Sequence, residues 1–169
     1  MSSRTGTAGR ILAIDYGRRR IGLALSDELH LTAQPLITML RKNRRDDLRR
    51  LREMVREHGV TRIVVGHPLH LDGEESEMGA ETAAFAKRVA KALGVPTELY
   101  DERLTSWEAD QMVAENVGQT GRYSRNAKHS IRRGHSSARS ARPVKDHLAA
   151  AILLRDYLES RRAQHSGKT

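Results

Sequence analysis

The amino-acid sequence predicts one α/β domain, a mixed β-sheet flanked by helices. Three observations carry this expectation. Short aliphatic and β-branched runs alternate with segments of helical period. Gly or Pro punctuates most of the junctions between them. The chain's 169 residues suit one domain with a real core, and no run approaches the roughly 18 apolar residues of a membrane span.

The elements follow in order. ILAID, residues 11–15, is an apolar run ending in a carboxylate and reads as a buried strand. Gly17 supplies a turn, and residues 21–26 read as a second strand pairing back on the first. A third extended stretch, about 36–40, follows Pro35. In residues 46–58, Leu48, Leu51 and Val55 share a helical face, and Gly59 is the expected stop. Residues 63–65 form a β-branched run before Gly66 and Pro68, a fourth strand. Residues 75–93 read as a second amphipathic helix with Ala83, Ala86, Val89, Ala90 and Leu93 inward. After Gly94 and Pro96, residues 98–100 form a fifth strand that runs into Asp101 and Glu102. A short helix is expected about 106–115, and an apolar one about 145–160, after Pro143. Residues 1–9 and 161–169 are expected to be disordered tails.

Charge narrows the function. Lys and Arg total 30 against 21 Asp and Glu, a formal net charge of +9. Such an excess favours a polyanionic partner, a nucleic acid. Eight of the Lys and Arg residues fall in residues 118–145, which hold no acid until Asp146. With little to bury, residues 118–142 read as a flexible basic loop. The chain has no cysteine, which excludes disulfides, thiol catalysis and cysteine-ligated zinc. That usage fits a reducing cytosol, and MSSRTGTAGR contains no apolar signal core. A cytoplasmic chain with no membrane partner is the expectation.

Three acids stand at the ends of elements. Asp15 closes the first strand, Glu102 follows the fifth beside Asp101, and Asp146 opens the last helix. If strands one and five are neighbours, their C-terminal ends share a rim, where open α/β sheets hold their sites. Ala149 and Ala150, at i+3 and i+4 from Asp146, would let that helix lie close to the sheet. Three convergent carboxylates with no cation among them would repel, and hard divalent ions bound by oxygen would relieve this. Taken singly, each acid also reads as a turn residue or a helix cap.

Four blocks carry a family resemblance. ILAIDYGRRRIGLALSD resembles the first hairpin of the YqgF (RuvX-like) nuclease family, and GHPLHLDGEESEMGAETAAFA its fourth strand, loop and following helix. YDERLTSWEAD resembles its fifth-strand signature, and VKDHLAAAILLRDYL its terminal helix with the D-x-x-A-A pattern. The family is similar in fold to RuvC-type resolvases and RNase H, so the resemblance implies an RNase H-like mixed five-stranded sheet. It implies Asp15, Glu102 and Asp146 as catalytic acids holding Mg²⁺ or Mn²⁺, with two ions expected. Glu102 is preferred to Asp101 because successive strand residues face opposite sides. Arg20, within the family's R-I-G pattern, is a candidate phosphate contact. Arg103 and, in the basic loop, Arg122, Arg125, Lys128, Arg132 and Arg133 are the others.

Two departures from the family pattern stand out: His67 and His70 in the GHPLHLDG loop, and the length of the basic segment before Asp146. The implied function is a metal-dependent endonuclease maturing the 5′ end of precursor 16S rRNA. Resolution of Holliday junctions is the alternative, and it would require a homodimer, since each chain offers one site. A non-catalytic nucleic-acid-binding module is the third reading, against which the three intact acids weigh.

Overall fold

The computed structural model describes residues 9–69, 76–101 and 143–166. Among these, five strands and three helices follow one another as β1 (Arg10–Tyr16), β2 (Arg20–Ser26), β3 (Ala33–Leu40), α1 (Arg44–Glu57), β4 (Val60–His67), α2 (Glu77–Leu93), β5 (Thr97–Asp101) and α3 (Pro143–Ser166). The strands form one sheet in the order β3-β2-β1-β4-β5. The first three run antiparallel, and β4 and β5 run parallel to β1.

The central strand is apolar at consecutive positions because both its faces are covered. Leu12 and Ile14 enter a core shared with Ile21, Leu23, Leu51, Val55, Ile63, Val65, Phe85 and Val89, so α1 and α2 cover that face. Ile11 and Ala13 enter a second core with Ala24, Val64, Ala150, Leu153, Leu154, Tyr157 and Leu158, so α3 covers the other. Each such aliphatic side chain contributes about 1.5–3 kcal/mol by leaving water.

Local chemistry sets the helix limits. Asn43 caps α1 by accepting the Asp46 amide, and Ser76 caps α2 by accepting the Gly79 amide. Gly94, at φ 68°, ends α2 in the left-handed conformation that favours glycine.

Several expectations are revised. β5 does not adjoin β1, because β4 lies between them. Each parallel connection returns through a helix to the next free edge, so β4 takes the place beside β1 and β5 the outer place. All three C-terminal ends still share one rim. β3 begins at Ala33 and includes Pro35, opposite Ala24 at a register shift. Proline is tolerated there because β3 is an edge strand. On α2 the buried residues include Thr82 and Phe85 with Ala86 and Val89, whereas Ala83 and Ala90 are only half-buried.

Residues 161–166 are helical rather than a disordered tail. Arg161 donates to the Tyr157 hydroxyl, and Arg162 donates to the His30 and Leu31 carbonyls, gripping the turn between β2 and β3. Gly9, assigned to the N-terminal tail, is buried with its carbonyl 2.7 Å from His30 Nε2. The helix expected about 106–115, the basic loop 118–142, residues 1–8 and residues 167–169 lie outside the described residues. Among the described residues, no helix is long and apolar enough to cross a membrane.

Candidate active site

Alternation along β1 decides where its acid points. Ile11 and Ala13 face α3, so Asp15, two residues on, faces α3 as well. Asp15 lies opposite Gly22 of β2. A Cβ on Gly22 would collide with the Asp146 carbonyl and stand 3.0 Å from the His147 nitrogen. The missing side chain therefore lets the first turn of α3 rest directly on the sheet, and it brings Asp146 beside Asp15. Ala150 is fully buried in this contact, but Ala149, expected to share it, is exposed.

The close approach has an electrostatic cost. Burial, and then the negative charge of Asp146, push the Asp15 carboxyl up from 3.8 to about 6. Asp146 has partial compensation, which the sequence reading did not anticipate. Arg20 Nε lies 2.9 Å from its Oδ2. Among the described residues this buried oxygen receives no hydrogen bond, so its contact with Arg20 is an ion pair only. Arg20, expected to reach phosphate, thus stands beside an acid of the site. The next residue, His147, places Nδ1 3.0 Å from Thr38 Oγ1 and ties the start of α3 to the edge strand.

The hairpin around the site is braced from the opposite face. Arg41 donates to the Tyr16 hydroxyl (2.9 Å) and the Gly17 carbonyl (3.1 Å), and it pairs with buried Asp47 (3.2 Å). Arg18 is held by Glu81 at 2.7 Å and Glu77 at 3.0 Å. Arg19 remains exposed at the hairpin tip.

Asp101 is excluded from the carboxylate pair by its face. Tyr100 points toward α3, where it meets Tyr157 edge-on, so Asp101 points the other way. In the parallel register it lies opposite His67. Glu102, Arg103, His70, Arg122, Arg125, Lys128, Arg132 and Arg133 lie outside the described residues. Among the described residues no three His, Asp or Glu side chains cluster as a metal site; the pair is Asp15 and Asp146. Gly22, Thr38 and His147 were missed by sequence reasoning. The signal available for the first was an isolated glycine inside a strand pattern, which marks close approach of another backbone.

A mixed five-stranded sheet in the order β3-β2-β1-β4-β5, flanked by helices on both faces, is the RNase H-like fold. Thermus thermophilus RuvC, solved "in complex with Holliday junction substrate", matches with a TM-score of 0.51 at 17% identity, over 91% of this chain and 96% of that one. At that identity the likeness concerns the fold.

The chain belongs to the RuvX family: the model described as "RuvX: Holliday junction resolvase" matches residues 9–160. A relative from Syntrophus aciditrophicus, named "Putative pre-16S rRNA nuclease", is 40% identical over 151 residues, 89% of each chain. One of the same name from Koribacter versatilis is 37% identical over 161 residues, 95% of this chain and 94% of the relative.

Proposed function

We propose that this chain is a divalent-metal-dependent endonuclease that trims the precursor of 16S rRNA, with Asp15, Glu102 and Asp146 as its catalytic acids. The observation that carries the reading is the juxtaposition of Asp15 and Asp146 on the α3 face of the sheet. Two carboxylates forced together, one raised to about 6 and the other with a buried oxygen that no described residue satisfies by a hydrogen bond, fit a hard cation. The donors are all oxygen, which suits Mg²⁺ or Mn²⁺.

Asp15 and Asp146 would hold the metal from β1 and α3, and Glu102 would add the third carboxylate from the end of β5. When bound, two such ions supply an activated water and stabilise the leaving oxygen of a phosphodiester. The remaining tasks fall to the chain itself. Gly22 keeps the backbone of Asp146 against the sheet, and Arg41 and Arg18 hold the hairpin that carries Asp15. The basic residues Arg103, Arg122, Arg125, Lys128, Arg132 and Arg133 would position the substrate by its phosphates. The rRNA substrate is supported by the names of the relatives at 37–40% identity.

A second reading, resolution of four-way DNA junctions by a homodimer, is favoured by the description of the matching family. One experiment separates the two. A 5′-extended 16S rRNA fragment and a four-way DNA junction are each incubated with protein and Mg²⁺ or Mn²⁺, with Asp15→Asn as control. Cleavage of the RNA alone supports the first reading and cleavage of the junction alone the second. Cleavage of neither, or equal cleavage by Asp15→Asn or in chelator, overturns the metal-nuclease reading.

A further inference from the structure

We infer that Arg20 is an exchangeable counter-ion: it shields Asp146 in the metal-free protein, and it passes to substrate phosphate once a divalent cation takes the carboxylate pair. The inference rests on the metal-nuclease reading above.

Asp15 and Asp146 bring two negative charges onto one sheet face, and Arg20 brings one positive charge to within 2.9 Å of Asp146 Oδ2. The backbone of Asp146 is held in place, because Ala150, Leu153 and Leu154 pack α3 onto the sheet where Gly22 leaves it room. The guanidinium, on a flexible stem with its side chain 31% exposed, is the mobile partner. Its contact is an ion pair without hydrogen-bond geometry, which is easier to give up than a forked hydrogen-bonded pair.

With a divalent cation held by Asp15 and Asp146, Arg20 would no longer be needed as their counter-ion, and its guanidinium would gain by moving away from the added positive charge. The phosphodiester that then arrives is an anion for which arginine is well shaped. Of the arginines around it, Arg19 stays exposed at the hairpin tip, and two others are already paired. Arg18 is committed to Glu77 and Glu81 on α2, and Arg41 to Asp47 and the hairpin carbonyls.

The test needs no turnover. Mn²⁺ is titrated calorimetrically into wild type, Arg20→Gln, Arg20→Thr, Arg20→Lys and Asp15→Asn, without nucleic acid. Threonine suits a strand position, so it supports glutamine as a second neutral variant. Both neutral variants should bind Mn²⁺ roughly threefold to tenfold more tightly than wild type, and lysine should restore the wild-type affinity. Unchanged or weaker Mn²⁺ binding in both neutral variants, with binding still lost in Asp15→Asn, overturns the counter-ion role and leaves the metal site standing. Mn²⁺ binding equal in wild type and Asp15→Asn overturns the metal reading itself.

A second measurement follows a structured RNA carrying single-stranded flanks. In Ca²⁺, the neutral variants should lose about 0.7–0.9 from the slope of log affinity against log salt, one phosphate contact. In chelator they should match wild type. An equal loss in both conditions shows that Arg20 reaches phosphate without metal, and overturns the exchange.

Discussion

Replacing Asp15 by Asn should make the metal-free protein more stable while removing its function. The Asp15 carboxyl is raised from 3.8 to about 6 by burial and by Asp146. The native state therefore binds the Asp15 proton more tightly than the unfolded chain does. The ionisation penalty is absent below pH 3.8, grows between 3.8 and 6, and is fully present above 6. About two units at ~1.36 kcal/mol each set an upper bound of ~3 kcal/mol on the penalty at neutral pH.

Asparagine keeps the shape and cannot ionise. The variant should thus exceed wild type by ~1–3 kcal/mol at pH 7.5 in chelator, with the gap closing toward pH 4. For a chain of this size that is a rise in Tm of roughly 2–12 °C. Urea denaturation of both proteins in chelator, from pH 4 to 8, measures it. Saturating Mg²⁺ or Mn²⁺ should narrow the gap by stabilising wild type alone, by about 2.7 kcal/mol at a hundredfold excess over Kd. Parallel stability–pH profiles for the two proteins would refute the reasoning, since they would mean that Asp15 ionises without penalty.

Three further outcomes are expected. Gly22→Ala should cost about 1–3 kcal/mol, because its Cβ would collide with the Asp146 carbonyl. It should also weaken Mn²⁺ binding, and calorimetry showing wild-type affinity would remove Gly22 from the site. Glu102→Gln and Asp146→Asn should each abolish cleavage while sparing substrate binding, and Asp101→Asn should remain active. A dead Asp101→Asn beside an active Glu102→Gln would reverse the choice between those acids. Replacing Arg122, Arg125, Lys128, Arg132 and Arg133, with Arg139 of the same basic segment 118–142, by Ala should flatten the log affinity–log salt slope by roughly 2–3, if about half of the six touch phosphate. An unchanged slope in filter binding would make the segment a passive linker.

The parts legible in the sequence were those written in short-range patterns. A consecutive apolar run marked β1 as buried on both faces, and the spacing of Leu48, Leu51 and Val55 marked the inner face of α1. Gly94 announced the end of α2 because its left-handed φ is cheap only for glycine. Asp15 and Asp146 stood out because each lies at the end of an element, and the period of two along a strand puts Asp101 on the face away from Tyr100.

Only the tertiary structure decided what those residues meet. Periodicity reports which side of an element is buried, but not which element covers it, so the place of β4 between β1 and β5 stayed hidden. Arg18 and Glu81, 63 residues apart, and Thr38 and His147, 109 apart, carry no local mark of their pairing. The same holds for Arg20 and Asp146. Their ion pair exists because Gly22 lacks a side chain and the helix can settle onto the sheet there. A glycine's missing volume is visible in one dimension, but the backbone that occupies it is found only in three.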